Sequence, residues 1–145
     1  FSLSELLLVM DEEHPDRQRM LERFRRLSAG FLPLQDAEGM FHQVLDMSTS
    51  YQESSCTAMF AAACSRAVQH GWFVEPQPYR DAIARAIEGL LSHAIDEEGR
   101  VLGVCRGSEF SCSRHYYAEE LLPRIDDTHG IGIILLAFAE YLRLF

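Results

Sequence analysis

Apolar residues along the chain follow two kinds of helical pattern that alternate. Segments 2–10, 55–70 and 130–144 are apolar on nearly every side, which is typical of helices covered all round. Segments 16–34 and 79–94 carry one apolar stripe and a charged face, which is typical of helices that cover a core from outside. The pattern therefore predicts inner helices that alternate with outer helices.

A sequence repeat runs through these helices. Segment 36–44 aligns with segment 96–104 at an offset of 60 residues, and the aspartate, glutamate, glycine and final valine coincide. In each copy an Asp-x-Glu-Gly turn follows an outer helix and precedes a short predicted strand. Gly39 and Gly99 suit the left-handed corner of such a turn. A fixed period of this length is typical of architectures built from one repeated unit.

The repeat predicts an all-α fold of about two and a half helical hairpins, with short β-hairpin-like strands in the loops. Inner helices that are apolar all round need neighbours on both sides, and a double ring of inner and outer helices supplies them. Small residues such as Ala58, Ala61 and Gly132 keep the inner helices slim. We expect residues 1–145 to form a single domain that is about half of an α/α toroid. A solenoid, or two hairpins similar by chance, are the alternatives.

Composition and charge restrict the possible partners. The 145 residues include 22 acidic and 13 basic side chains, and the net charge of −9 argues against nucleic acid. Every basic residue is arginine, so no lysine is available for a Schiff base or a phosphate-binding loop. We expect no cofactor.

The cysteines and the chain ends bear on metal binding and location. The four cysteines form no Cys-x-x-Cys pair and lack zinc-like spacing, so we expect no metal site. Reduced thiols, the lack of a signal-peptide pattern and apolar runs too short to span a bilayer lead us to expect a cytoplasmic protein without a membrane partner. We interpret Phe1, which lies inside an apolar run, as the cut edge of a longer protein.

Polar and aromatic side chains concentrate in two segments that lead into inner helices. The first holds His42, Gln43 and Glu53, and the second, from 104 to 130, is long for a simple connection. Aromatic rings that stack on sugars, beside groups that hydrogen-bond hydroxyls, are typical of carbohydrate sites. Arginine also pairs well with a uronate carboxylate. The second segment contains Arg106, Arg114, His115, Tyr116, Tyr117, Asp126, Asp127 and His129.

Structural roles remain open for several of these residues. Ser54 is favoured as the N-cap of the helix that follows it, whereas Glu53 is equally consistent with a cap and with a site residue. One residue of segment 126–128 is expected to cap the last helix, and this is favoured over an acid–base role for Asp127. An isolated histidine such as His42 is more often a hydrogen-bonded structural residue than a catalyst.

Two stretches of the sequence resemble a known enzyme family. The stretch 39–46 and the pattern Tyr-x-Glu-x-Ser-x-x-Ala-Met-Phe at 51–60 are similar to glycoside hydrolase family 105. These enzymes are the unsaturated rhamnogalacturonyl hydrolases, which are related to the family 88 unsaturated glucuronyl hydrolases. Segments 103–107, 116–117 and 126–137 are similar to the same family, so the resemblance covers the whole chain in order.

The resemblance implies a fold and a reaction. The fold is an (α/α)6 barrel of six hairpins, of which this chain is the C-terminal half. The reaction removes a 4,5-unsaturated galacturonyl unit from a rhamnogalacturonan oligosaccharide. An aspartic acid protonates the C4=C5 bond, water adds at C5, and the hemiketal opens. The aspartate is expected upstream of Phe1, so no catalytic residue is expected in this chain, which alone would be inactive.

The resemblance also implies which residues face the sugar. Phe41 stands where the family usually has tryptophan, and Cys56 where it often has a smaller residue, so subsite preference is open. The expected partners are an unsaturated galacturonyl-rhamnose oligosaccharide and either the N-terminal half of the barrel or a second copy bound through exposed inner helices. A non-catalytic carbohydrate-binding module and a helical-repeat interaction scaffold are the competing functions. The substrate-side residues carried over are His42, Gln43, Glu53, Arg106, Tyr117 and His129.

Overall fold

Helices make up the regular structure of the computed structural model, which describes residues 1–145. Each predicted inner and outer helix is present, with ends within a few residues of those expected. A short 3₁₀ turn, Leu32–Leu34, extends the second helix, and a single π-helical turn, Tyr116–Glu120, lies in the long loop. The helices are α1 (Ser2–Val9), α2 (Arg17–Phe31), α3 (Ser54–Gln69), α4 (Gln77–His93) and α5 (Thr128–Leu142).

The predicted loop strands are single antiparallel bridges, so their expected extent was wrong. The bridges pair His42 with Gln52, Ile95 with Val101, and Val104 with Arg124. Next to two of these bridges, a backbone N–H donates to a side-chain oxygen instead of to the carbonyl of a second strand. Phe41 N donates to Thr57 Oγ1 at 3.0 Å, and Val101 N donates to an Asp126 carboxylate oxygen at 2.8 Å.

The inner helices α3 and α5 lie side by side and parallel. At their starting ends both helices contact residues 103–104 of the second loop. Gly130 of α5 packs against Val104, and Ser54 N of α3 donates to Gly103 O at 3.0 Å. Their far ends meet where Arg66 Nε donates to Glu140 at 3.1 Å. Helix α3 also contacts α1 on its other side and α4 on the outside. It therefore has neighbours all round, as the sequence predicts for an inner helix.

A buried charge cluster joins the far ends of the inner helices. Arg66 is 7% exposed and Glu140 is 3% exposed, and Arg66 also pairs with Glu5 of α1. Burial acts against ionisation of Glu140, but hydrogen bonds from Arg66 and Gln69 and the charges of Arg66 and Arg143 lower its pKa. The Glu140 carboxylate is thus kept charged. Removal of Arg66 would leave this buried charge without its main partner.

The two Asp-x-Glu-Gly turns share one backbone geometry. Asp36 Oδ1 accepts hydrogen bonds from the backbone of Glu38 and Met40. Asp96 Oδ1 accepts the same two bonds, from Glu98 and Arg100. Both turns place glycine in the left-handed region, with φ of 84° at Gly39 and 77° at Gly99. The 60-residue repeat is therefore a structural repeat as well as a sequence repeat.

None of the helices combines the length and the apolar character needed to cross a membrane.

The largest surface groove, about 570 Å³, runs between α1 and α2. It has an apolar floor that includes Leu3, Met20 and Leu27 and a rim that includes Arg23 and Arg26. None of the six candidate sugar-binding residues lines it. The candidate site is therefore sought in the loops that lead into α3 and α5.

Candidate functional site

Glu53 forms the start of α3 and is the N-cap of the helix. Its carboxylate accepts from Ser55 N at 3.2 Å, from Cys56 N at 2.5 Å and from the Ser55 hydroxyl at 2.8 Å. The side chain is therefore bound to the free N–H groups of the first helical turn. The expectation that Ser54 caps the helix was wrong, because Ser54 is already inside it and its buried hydroxyl has no hydrogen-bond partner.

The same carboxylate joins the two candidate loops. Glu53 Oε1 accepts from Cys105 N at 2.9 Å, across 52 residues of sequence. Gly103 allows this approach, since a Cβ there would lie 2.8 Å from Gln52 O. The residue is only 4% exposed and both oxygens are occupied by donors. Glu53 thus fixes the segment that carries Arg106 against the start of α3.

Cys105 is the centre of the polar contacts around this junction. Gln43 Nε2 donates to the Cys105 sulfur at 3.6 Å. The half-buried Tyr51 lies nearby, and its enclosed hydroxyl has no hydrogen-bond partner. Burial, followed by the neighbouring Cys105 and Glu53, raises the pKa of Tyr51 above its usual range. The charge of Arg106 acts to lower the pKa of Tyr51, and the Arg106 side chain is exposed. The junction thus combines an amide, an enclosed phenol hydroxyl and an exposed guanidinium.

His42 is tied into the first turn. Its Nδ1 is 2.6 Å from Ser50 O, so that nitrogen carries a proton and donates. Its Nε2 is 3.1 Å from Asp36 Oδ2, and the side chain is 12% exposed. Gln52 Nε2 also donates to Asp36 Oδ2, at 2.7 Å. These contacts support a structural role for His42 in holding the loop before α3.

The long second loop crosses over the first. Arg114 pairs with Asp46 at 2.7 Å, and both side chains are largely exposed. Tyr117 lies in the π-helical turn, and its hydroxyl accepts from Ser111 N at 3.0 Å. Its ring contacts Tyr116 edge-on, with centroids 5.1 Å apart. Tyr117 therefore braces its own loop and leaves part of its ring accessible.

Asp127 caps α5, as expected for one residue of segment 126–128. Its Oδ1 accepts from His129 N at 3.3 Å and lies 2.7 Å from His129 Nδ1. The hydrogen bond from the His129 side chain is the largest influence on Asp127 and, with Arg124, lowers its pKa. His129 is exposed at the mouth of the helix.

The structure brings the candidate residues together unequally. Gln43, Glu53 and Arg106 meet around Cys105, whereas Tyr117 and His129 have their recorded side-chain bonds within their own segments. Sequence reasoning missed Cys105, because its part depends on a backbone N–H and a thiol that the spacing does not reveal. The repeat gave no signal for this contact, because its second copy, segment 96–104, ends one residue before Cys105.

The side chains at the junction are suited to hydrogen bonding. No group of three His, Cys, Asp or Glu side chains is arranged to hold a metal ion. Burial, and then the nearby Glu53, raises the pKa of Cys56 to about 12. A thiol with so high a pKa is a poor nucleophile. The arrangement instead offers neutral and charged hydrogen-bond groups of the kind that bind sugar hydroxyls and carboxylates.

Sequence comparison relates the chain to carbohydrate-active proteins. The sequence profile of Glycosyl Hydrolase Family 88 matches residues 1–145. Protein Atu3128 of Agrobacterium fabrum is 30% identical over 162 residues, covering 99% of this chain and 68% of that protein. Unsaturated rhamnogalacturonyl hydrolase YesR of Bacillus subtilis is 25% identical over 142 residues, covering 98% of this chain and 38% of that protein.

Solved structures show the same architecture. A possible member of the GH105 family from Salmonella enterica serovar Paratyphi A superposes with a TM-score of 0.86 at 27% identity, covering 98% of this chain and 37% of that one. A family 105 glycoside hydrolase of C. acetobutylicum superposes with a TM-score of 0.87 at 24% identity, covering 98% and 42%. The chain thus has the fold of part of an α/α toroid and spans about two-fifths of these structures.

Proposed function

Because the chain belongs to glycosyl hydrolase family 88, we propose that it is the sugar-binding part of a hydrolase for unsaturated uronides. The proposed reaction removes 4,5-unsaturated galacturonyl residues from rhamnogalacturonan oligosaccharides by hydration of the double bond. The similarity to YesR across 98% of the chain supports this substrate class. The single structural observation that carries the proposal is the contact of Glu53 with Cys105, which brings both polar loops to one surface.

In this proposal the proton donor is outside residues 1–145. A general acid must hold a proton that it can release to the substrate. Glu53 accepts hydrogen bonds on both oxygens, and the pKa of Asp127 is lowered, first by the hydrogen bond from His129. The lowered pKa favours the ionised carboxylate of Asp127. As the resemblance to family 105 implies, an aspartic acid outside residues 1–145 protonates the C4=C5 bond, and water adds at C5.

The six candidate residues have distinct proposed roles. Arg106 pairs with the uronate carboxylate, because it is the exposed guanidinium at the junction of the loops. Gln43 and His129 hydrogen-bond sugar hydroxyls, and the Tyr117 ring packs against a sugar face. His42 and Glu53 hold the loops in place from behind. The four free cysteines support a reducing, cytoplasmic location.

Substitution of Arg106 tests the proposed binding. Calorimetry with an unsaturated galacturonyl-rhamnose disaccharide should give an affinity at least about tenfold lower for Arg106→Ala, as expected for loss of a charge-assisted pair. Arg100→Ala is the matched control, since Arg100 is exposed in the second turn and pairs only with local carboxylates. Equal affinities of both variants and the parent would remove Arg106 from the site.

A sugar-binding module without catalysis is the second candidate function, since the proton donor of the proposed reaction is outside residues 1–145. The ultraviolet absorbance of the substrate double bond distinguishes the hydrolase from the non-catalytic module. This chain alone should bind the disaccharide without loss of that absorbance, whereas a chain that also contains the remainder of the barrel should consume it. Hydrolysis by residues 1–145 alone would contradict the absent proton donor. Binding without hydrolysis by the longer protein would favour the non-catalytic module.

A further inference from the structure

Both ring nitrogens of His42 face oxygen atoms that accept hydrogen bonds. Nδ1 lies 2.6 Å from the carbonyl oxygen of Ser50, and Nε2 lies 3.1 Å from Asp36 Oδ2. A neutral imidazole has one N–H, so it can donate in only one of these two directions. An imidazolium has two N–H groups and can donate in both. The geometry around His42 therefore matches the doubly protonated form of the ring.

Two acidic side chains of the first turn meet beside His42. Gln52 Nε2 donates to Asp36 Oδ2 at 2.7 Å and to Glu38 Oε2 at 2.6 Å. Both hydrogens of the amide are thus used, and both acidic groups lie within reach of one nitrogen atom. Like charges this close repel each other unless a cation lies next to them. Gln52 is uncharged, so it joins the acidic pair without neutralising it.

The equivalent acidic pair in the second turn is neutralised by an arginine. Arg100 contacts Asp96 at 2.7 Å and Glu98 at 3.2 Å. At an offset of 60 residues its counterpart is Met40, which is 1% exposed and packs against Gly89 of α4. An arginine keeps its charge at every physiological pH, whereas a histidine gains and loses charge near neutrality. The first turn thus lacks the permanent cation of the second turn.

Histidines are the ion-pair partners of the two acids in the first turn. His42 contacts Asp36 from the loop side with 12% of its side chain exposed. His93 lies 3.8 Å from Glu38 Oε2 on the α4 side with 36% of its side chain exposed, so His42 is the nearer and more enclosed of the two. The guanidinium of Arg85 donates to a glutamine side chain at 2.6 Å. The charged side chains that α4 brings to this side of the turn are Arg85, Glu88 and His93.

We propose that the first turn is a proton-dependent clamp, in which doubly protonated His42 neutralises the acidic pair and holds segment 42–52 to the turn. One N–H of the ring binds Ser50 near the far end of that segment, and the other binds Asp36 in the turn. Loss of the second proton to solvent leaves a nitrogen lone pair facing an oxygen, so the ring keeps only one of these contacts. Segment 42–52 is then released from the turn, and Gln43 moves with it. The resulting pH dependence of the sugar surface rests on the proposed function, whereas the clamp itself does not.

NMR of the histidine rings tests the charge of His42. In the isotope-labelled chain at neutral pH, long-range correlations should show hydrogen on both ring nitrogens of His42, and the His42→Gln variant assigns these signals. His14 is the internal control, because its Nδ1 accepts from Asp16 N at 3.1 Å and so carries no hydrogen. A His42 ring with one unprotonated nitrogen at neutral pH would overturn the proposal.

Hydrogen exchange tests the release of the segment. The amides of Gln43 and Val44 donate within it. Their protection, relative to the intrinsic exchange rate at each pH, should fall at least about tenfold over the range in which His42 loses its second proton. The paired amides of Val104 and Arg124 in the second loop are the control and should keep their protection. Constant protection of the segment while His42 titrates would contradict the clamp.

Removal of one acid from each turn tests the source of the pH dependence. Glu38 and Glu98 are both largely exposed, so neither substitution should disturb the fold. Glu38→Gln leaves His42 with one anion fewer, so the loss of protection should move to lower pH. Glu98→Gln should leave the exchange profile of the first turn unchanged, because it alters only the second turn. A Glu38→Gln profile identical to that of the parent would show that the acidic pair does not govern the proton on His42, and the proposal would fail.

Discussion

The two Asp-x-Glu-Gly turns have the same backbone hydrogen bonds and different surroundings. In the second turn Arg100 neutralises both carboxylates locally, through Asp96 at 2.7 Å and Glu98 at 3.2 Å. In the first turn the same two positions accept from Gln52, which lies at the entrance to α3. A Cβ on Gly39 would overlap the backbone of Arg85 in α4, whereas Gly99 has open space around it. Local sequence thus sets the turn, and only in the first turn do the two carboxylates bond a residue at the entrance to α3.

The largest difference should come from replacing the turn glycines. Both Gly39→Ala and Gly99→Ala place a side chain in the left-handed region, which costs about 1 kcal/mol. Gly39→Ala adds the overlap with Arg85, so we expect a total loss of about 3 kcal/mol or more. Urea unfolding of both variants measures the two costs. Equal losses would show that the first turn is not packed on α4 as described.

Substitution of Gly89, the glycine of α4 that packs against the first turn, should have the next largest effect on stability. A Cβ on Gly89 would lie 2.5 Å from Glu38 O, so Gly89→Ala should lose about 2 kcal/mol. Gly30 in α2 has nothing near its Cβ position. Gly30→Ala should therefore gain up to about 1 kcal/mol from helix propensity. Thermal unfolding compares the pair, and a stabilising Gly89→Ala would contradict the close approach.

Removing the side chains that hold each turn should give a smaller effect with a clear functional contrast. His42→Ala loses two contacts that are mostly buried and should cost about 1 kcal/mol. It should also weaken disaccharide binding, because the segment before α3 loosens. Arg100→Ala removes exposed pairs worth about 0.5 kcal/mol or less and should leave binding unchanged. Unfolding and calorimetry on both variants check this, and weaker binding by Arg100→Ala alone would reverse the assignment.

The smallest effect is the pH dependence of the second turn. Partial desolvation acts against ionisation of Asp96, but the hydrogen bonds and charge of Arg100 outweigh it and lower its pKa below 3.8. A carboxyl with a lowered folded pKa contributes stability above its ordinary pKa and loses it as pH falls through the lowered value. The stability difference between the parent and Asp96→Asn should therefore shrink in that acid range. NMR titration of Arg100→Ala should show the pKa of Asp96 moving back toward 3.8.

Helices and turns could be predicted from sequence because their causes are local. Periodic apolar positions located all five α-helices, and the repeated glycines located both turns. The sequence left Ser54 and Glu53 open as the cap of α3, and it did not reveal that Glu53 also accepts from Cys105 N, 52 residues away. The extent of the loop strands was overestimated for the same reason, since Thr57 and Asp126 replace backbone acceptors. The meeting of Gln43 with Cys105 likewise depends on how the two units pack.

The most direct test of the account is an NMR titration of the isotope-labelled chain with the unsaturated galacturonyl-rhamnose disaccharide. We expect saturable shifts in the backbone amides of Gln43, Glu53, Cys105 and Arg106, and none in segment 96–100 of the second turn. Shifts confined to the groove between α1 and α2, or no saturable shift at millimolar sugar, would contradict a sugar-binding surface where the two loops meet.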